Sequence, residues 1–230
     1  TVLGQLTLGL FPNLDDKPLV FMALCSVLSL IPVTLTRRMH PALQVPAPLA
    51  LRYYLTRVPL SLTVLFIAGM LNGAFYGLAP VYGLQHGMDT HEVGVFLATA
   101  LATGLVFQWP IGWLADRTSR VKLIRAGSVL LFCLGVPLWG WYPFSYPALL
   151  VFAAVLGMVQ FTLYPMGTSF ANDNVDPQRR VGLSALLYMV YGLGACIGPL
   201  VAGALMGAWG GDVYFVFVSA CSLVLVVFIR

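Results

Sequence analysis

A single carboxylate, Asp116, stands among arginines in Gly112-Trp113-Leu114-Ala115-Asp116-Arg117-Thr118-Ser119-Arg120, a polar loop between two long apolar runs. A lone acid flanked by Arg117 and Arg120 reads, taken by itself, as a loop salt bridge worth under about 1 kcal/mol. Polar residues also recur at helical spacing inside apolar runs: Asn72 with Tyr76; Gln160, Tyr164 and Thr168; Ser184, Tyr188 and Tyr191; and Gln108 alone near the end of its run. Residues at these offsets share a helix face. Each stripe therefore either lines a cavity or hydrogen-bonds to a neighbouring helix, as amides and hydroxyls do in membranes. No nucleophile–base pair, phosphate-binding glycine loop or metal-ligand spacing is present, so enzymatic function, a cofactor and a metal site are not expected. Cys25, Cys133, Cys196 and Cys221 are scattered singly and read as inert thiols.

The elements that must position these residues follow from composition. Of 230 residues 60% are hydrophobic and 9% charged, with mean hydropathy +0.90, where a soluble domain carries about 25% charged residues. A chain this apolar uses lipid as its solvent, and in lipid each backbone amide must be satisfied internally. Its apolar runs last about 20 residues without alternating, which selects helices over a barrel. The expected spans are 1–10 (the tail of one), 18–36, 61–83, 92–112, 123–142, 148–170, 181–207 and 213–229.

Alternate connections differ sharply in charge. Arg37, Arg38, Arg52, Arg57, Arg117, Arg120, Lys122, Arg125, Arg179, Arg180 and Arg230 fall on one side, 11 of the 12 basic residues, and Lys17 alone falls on the other. The positive-inside rule puts the first set in the cytoplasm, including the linker 37–60 and the loop 113–122. That distribution accounts for the basic clusters without nucleic acid. Within the linker, LALRYYLTR reads either as a surface helix with Tyr53 and Tyr54 at headgroup level or as a solvated tether. On the opposite side His86, Asp89, His91 and Glu92 read as a solvated cluster.

The ends and an internal repeat suggest a piece of a longer chain. Thr1 is not a start residue and no basic n-region of a signal peptide precedes the first run. Leu3-Gly4-Gln5-Leu6 resembles Ile197-Gly198-Pro199-Leu200, and in both places an acidic outer turn, an apolar run and an arginine follow at matching distances. An offset of 194 positions, Gly4 to Gly198, implies six spans per repeat, and thus about four and a half spans before Thr1.

The loop Gly112–Arg120 resembles the signature G-x-L-a-D-R-x-G-R-[KR] of the major facilitator superfamily (MFS). Gly112, Leu114, Ala115, Asp116, Arg117 and Arg120 match, while Ser119 and Val121 depart from it. The wider stretches GAFYGLAPVYG, FQWPIGWLADR and FTLYP resemble a bacterial permease subgroup of the same family. The resemblance implies an all-α membrane protein, an MFS-type helical bundle of two six-helix repeats, with about seven and a half spans in this chain. It places the signature after helix eight, gives Asp116 a conformational gating role, and makes helices seven, eight, ten and eleven line a central cavity. It divides the chain into the end of an N-terminal bundle (1–36), a cytoplasmic linker (37–60) and a C-terminal six-helix bundle (61–230).

Physically, Gly112 is read as the small residue of a tight turn, and Asp116 as a carboxylate favoured beside a helix N-terminus. Gly69, Gly73 and Gly77, with Gly194 and Gly198, have the spacing that lets helices approach closely. Pro80, Pro110, Pro165 and Pro199 are positions of possible kinks or hinges. The GPxxxG run from Gly198 to Gly203 resembles an antiporter signature that in the family belongs to helix five, where this chain has Gln5.

No Asp, Glu, Lys, Arg or His falls in the interior of an expected span, so a proton-coupling group is expected outside this chain. The expected function is secondary active transport of a small uncharged or amphipathic molecule by alternating access, as a monomer in a bacterial inner membrane, with efflux as one direction. A transporter-fold sensor or scaffold that moves nothing is the alternative. Lipid, substrate and protons are the expected partners.

Overall fold

The computed structural model describes residues 17–28, 30–35 and 51–229. The first expected span, the repeat at Leu3–Leu6 and most of the linker before Leu51 lie outside the described residues. Among the described residues nine α-helices follow in order: α1 Lys17–Leu28, α2 Leu30–Leu35, α3 Leu51–Arg57, α4 Pro59–Gln85, α5 Thr90–Arg117, α6 Arg120–Gly135, α7 Tyr146–Asp173, α8 Arg180–Trp209 and α9 Val213–Phe228. No strand occurs among the described residues. Five of the helical segments are long and apolar enough to cross a membrane, α4 to α8 with the short 3-10 turns that flank α6 and α8. The chain is therefore an all-helical, multi-pass bundle, and the spans expected from 61 onward each fall on a helix.

The boundaries have local causes. Pro59 opens α4, where a missing N–H costs nothing. Asp89 caps α5 through a reciprocal capping box: its Oδ1 accepts from the Glu92 amide at 2.7 Å, and Glu92 Oε2 accepts from the Asp89 amide at 3.0 Å. Gly210 ends α8 with φ +93°, a conformation open to glycine. The Asp89 and Glu92 side chains are thus occupied at the helix start. His86 turns away from them to Asp212 at the start of α9, so the expected cluster of acids and histidines is divided between two jobs.

Two helix pairings organise the bundle. The seam of α4 on α8 is the most extensive, followed by α5 on α7; α6 packs on α9, and α4 also touches α7 and α9. At both main seams a small residue lets backbones meet. A Cβ on Gly69 would lie 2.2 Å from the Tyr191 carbonyl oxygen, and one on Gly73 2.4 Å from that of Ala195. Gly194 and Gly198 approach the Phe66 and Met70 carbonyl oxygens equally closely, at 2.1 and 2.2 Å. At the second seam a Cβ on Gly157 would lie 2.0 Å from the Ala100 carbonyl oxygen. Gly77 is looser, with only the Pro199 Cβ at 3.9 Å.

The short helix α3 differs from both expectations for it. Tyr54 is fully buried, and its hydroxyl donates to the Arg179 carbonyl at 3.0 Å. With Val58 it joins a second apolar core, separate from the main one, that includes Leu62, Leu65, Ala171, Leu183 and Leu187. Tyr54 is thus turned into protein rather than toward headgroups or water, while Leu51 and Leu55 on the same helix stay exposed. An apolar stripe on a short helix serves lipid and protein equally well, and here protein takes it.

Candidate functional site: a tyrosine and amide face with a charged loop below it

The α4–α8 seam carries Asn72 to Tyr191, and α7 brings Gln160 alongside. Gln160 Nε2 donates to Asn72 Oδ1 at 3.1 Å, and Asn72 Nδ2 donates to the Tyr191 hydroxyl at 3.2 Å. The chain of bonds crosses three helices. Gln160 is fully buried and Asn72 nearly so, so leaving either amide unpaired is costly. Tyr164 packs edge-on to Tyr191 and Tyr188, with centroids at 5.0 and 6.2 Å. Tyr76, one turn beyond Asn72, meets Phe75 and Phe161. Tyr76 and Tyr188 are 45% and 68% exposed, so the tyrosines form an open face above a buried amide chain.

Three polar residues of the stripes sit differently. Ser184 donates to its own helix, to the Arg180 carbonyl at 2.9 Å, an arrangement common for helical serine. Thr168 is half-buried, one turn beyond Tyr164, and its carbonyl accepts from Asn172 Nδ2 at 3.0 Å. Gln108 stands apart, exposed in a groove of about 140 Å³ between α5 and α7, together with Gly112, Asp116, Arg120, Pro165 and Ser169. Phe161, which supports Tyr76, is a cavity-side residue outside the polar stripes. Its signal was its place beside Gln160, opposite Gly104, whose Cβ position it crowds at 2.8 Å.

The signature loop closes the arginine-rich end of this groove. Helix α5 runs through Gly112 to Arg117, and the chain turns only at Thr118 and Ser119. Gly112 does not make the turn, and a Cβ there would meet nothing within 4 Å. The physical reason is that Trp113–Arg117 contains no helix breaker, so the helix continues until Thr118 adopts extended backbone. Asp116 accepts from Arg120 Nη2 at 3.0 Å, and Arg120 Nη1 donates to Asp173 Oδ2 at the end of α7. The guanidinium is a fork between two carboxylates, with its own side chain 18% exposed against 71% and 59% for the acids. Arg117 instead lies over the Trp113 ring, 3.8 Å from its centroid. Neither Asp173 nor Trp113 belongs to the set of residues expected above to act with these arginines.

At the opposite end His86 Nε2 lies 2.8 Å from Asp212 Oδ1, with Nδ1 2.9 Å from the Tyr82 carbonyl. This pair joins the end of α4 to the turn before α9. It borders a pocket of about 240 Å³ with Tyr142 and Phe144. No group of three metal-ligating side chains converges among the described residues.

Comparison with known proteins places this architecture. The curated relatives include proteins named "Uncharacterized MFS-type transporter" from Yersinia pestis (strain Pestoides F), 28% identical over 226 residues, and from Enterobacter sp. (strain 638), 28% identical over 232. A third, from Shigella flexneri serotype 5b, is 27% identical over 230 residues. Each alignment covers 97% of this chain but 58% of the relative, so the chain spans under two thirds of the length of the proteins it matches. The model of the Major Facilitator Superfamily matches residues 18–142 and 62–230, and the chain belongs to that family.

Proposed function

We propose that the full-length protein is a secondary active transporter that moves a small, uncharged or amphipathic molecule by alternating access. The observation that carries this reading is the Gln160–Asn72–Tyr191 chain beneath the open tyrosine face. In helices α4 to α9 every Asp, Glu, Lys, Arg and His falls within two turns of a helix end. Such a surface offers hydroxyl and amide hydrogen bonds and aromatic faces but no fixed charge. It suits a neutral or zwitterionic solute better than an ion.

In this reading helices α4, α5, α7 and α8 supply half of a midplane cavity. The other half and any proton-coupling group come from outside this chain. The segment 37–60 is the linker between halves. The arginine-rich end, with that linker and the loop 113–122, faces the cytoplasm of a bacterial inner membrane. The Asp116–Arg120 loop acts as the gate at that end, and the protein works as a monomer.

The test is transport kinetics of the full-length protein in proteoliposomes. Tyr164→Ala, Tyr188→Ala and Gln160→Ala are each expected to raise KM or lower the maximal rate. If all three leave both parameters unchanged, the cavity is elsewhere.

A further inference from the structure

A helix of seven residues does not hold its shape alone in water, because nucleation costs more than so few hydrogen bonds return. Helix α3 is therefore ordered by what it docks on, and that surface is the α7–α8 connection. Tyr53 donates from its hydroxyl to Asp176 Oδ2 at 3.1 Å. Arg179 lies over the Tyr53 ring, 4.7 Å from its centroid. Tyr54 bonds the Arg179 carbonyl from a fully buried position. Arg57 Nε donates to the Asn174 carbonyl at 3.2 Å. One residue before Asn174 is Asp173, the carboxylate that shares Arg120 with Asp116.

We infer that α3 is a strap that positions the gate: by fixing Asn174 and Asp176 it holds Asp173 where Arg120 meets it, and so joins the linker to the Asp116 loop. The strap reaches the proposed cavity as well. The apolar core that buries Tyr54 and Val58 continues between α4, α7 and α8 to Tyr164 and Tyr191. Pulling on the linker thus bears on both the signature loop and the tyrosine face through one packed unit. The Tyr53 and Arg57 contacts of the strap are exposed, so each is weak alone, and the buried Tyr54 bond keeps the strap docked while they shift. That suits an element that biases a gate without locking it.

This inference rests on the reading of the Asp116 loop as a gate, and the experiment separates the two. The full-length protein, with its native cysteines replaced by serine or alanine, carries a single reporter, Ser169→Cys, in the groove beside Asp116. Its rate of alkylation by a membrane-impermeant maleimide reports opening at that end. Asp116→Asn and Asp173→Asn are expected to raise the rate by about two- to fivefold, the range a half-exposed ion pair commands. Tyr53→Phe and Asp176→Asn are expected to match Asp173→Asn, and to add nothing when combined with it, because they act through the same contact.

Arg57→Ala, which removes the strap's bond to the Asn174 carbonyl from a separate and exposed position, is expected to raise the rate in the same way. Thermal melts confirm that each variant folds, and Arg57→Ala carries the test should Tyr53→Phe or Asp176→Asn fail to. Unchanged or fully additive rates for Tyr53→Phe and Asp176→Asn, with Asp116→Asn still active, overturn the strap and leave the gate. Unchanged rates for Asp116→Asn and Asp173→Asn overturn the gate itself.

Discussion

At the middle of α4 a Cβ on Gly73 would lie 2.4 Å from the Ala195 carbonyl oxygen, whereas at Gly207, near the end of α8, it would meet nothing within 4 Å. The same contrast holds for polar groups. In the middle, Asn72 and Gln160 are buried and bonded across helices; at the ends, Asp116 and Asp173 are more than half exposed and share Arg120, and Asp212, 40% exposed, bonds the His86 ring. The middle is held by backbone contact and buried amides, whose loss leaves a clash or an orphaned group. The ends are held by pairs that water can replace. The alternating-access reading proposed above requires this division, with ends that open around a fixed axis.

The sharpest way to break the comparison is to put bulk into both places. Gly73→Leu drives a side chain into the α8 backbone and is expected to cost more than about 3 kcal/mol, with loss of the monodisperse folded protein in detergent. Gly207→Ala is expected to be neutral or to stabilise by up to about 1 kcal/mol, because alanine favours the helix and nothing stands in its way. Size-exclusion profiles and thermal melts of the two variants check this pair. Equal tolerance at both positions would show that the α4–α8 seam is looser than its geometry.

Next comes the amide chain. Asn72→Ala strips both Gln160 Nε2 and the Tyr191 hydroxyl of their partner and is expected to cost about 1–2 kcal/mol in a thermal or denaturant melt. Gln160→Met is expected to cost less. The Gln160 Oε1 atom is buried without a partner among the described residues, so its removal offsets part of the lost bond to Asn72. A reversed order, with Gln160→Met the more damaging, would mean that Gln160 and not Asn72 is the centre of the chain.

These two regions were also unequally legible in the sequence. The glycines at Gly69, Gly73, Gly194 and Gly198 could be read because close helix approach demands small residues one turn apart on one face. Ala100 and Gly104 carry the same spacing on α5 and meet Gly157 and Phe161, but alanine is too common in apolar runs to stand out. The stripe Asn72, Gln160, Tyr191 could be read as polar, yet nothing in one strand of sequence says which stripes face each other. Ser184 looked like its neighbours and bonds its own helix instead.

At the ends, reading was harder still. Gly112 supplies the small residue that a tight turn needs, yet Trp113–Arg117 has enough helix propensity to carry α5 through it. Tyr54 lies on an amphipathic stripe, which is silent about whether lipid, water or protein is its partner. Asp173 and Asp176 belong to a connection whose sequence reads as solvated. Their partners, Arg120 and Tyr53, lie 53 and 123 positions away and had no local signal.

The smallest effect expected is at the end opposite the signature loop, and it tests whether the ends really differ from the middle. His86 and Asp212 are 31% and 40% exposed, so a double-mutant cycle of His86→Gln and Asp212→Asn should give a coupling under about 1 kcal/mol. Because both groups see solvent, that coupling should shrink in 1 M salt, where the screening length falls to about 3 Å. The Asn72 variant offers the control: its hydrogen bonds are neutral and buried, and the cost of losing them should persist in salt. A His86–Asp212 coupling that exceeds the cost of Asn72→Ala and survives high salt would place that pair with the buried middle. The turn before α9 would then be a fixed part of the axis, and the proposed opening would be confined to the arginine-rich end.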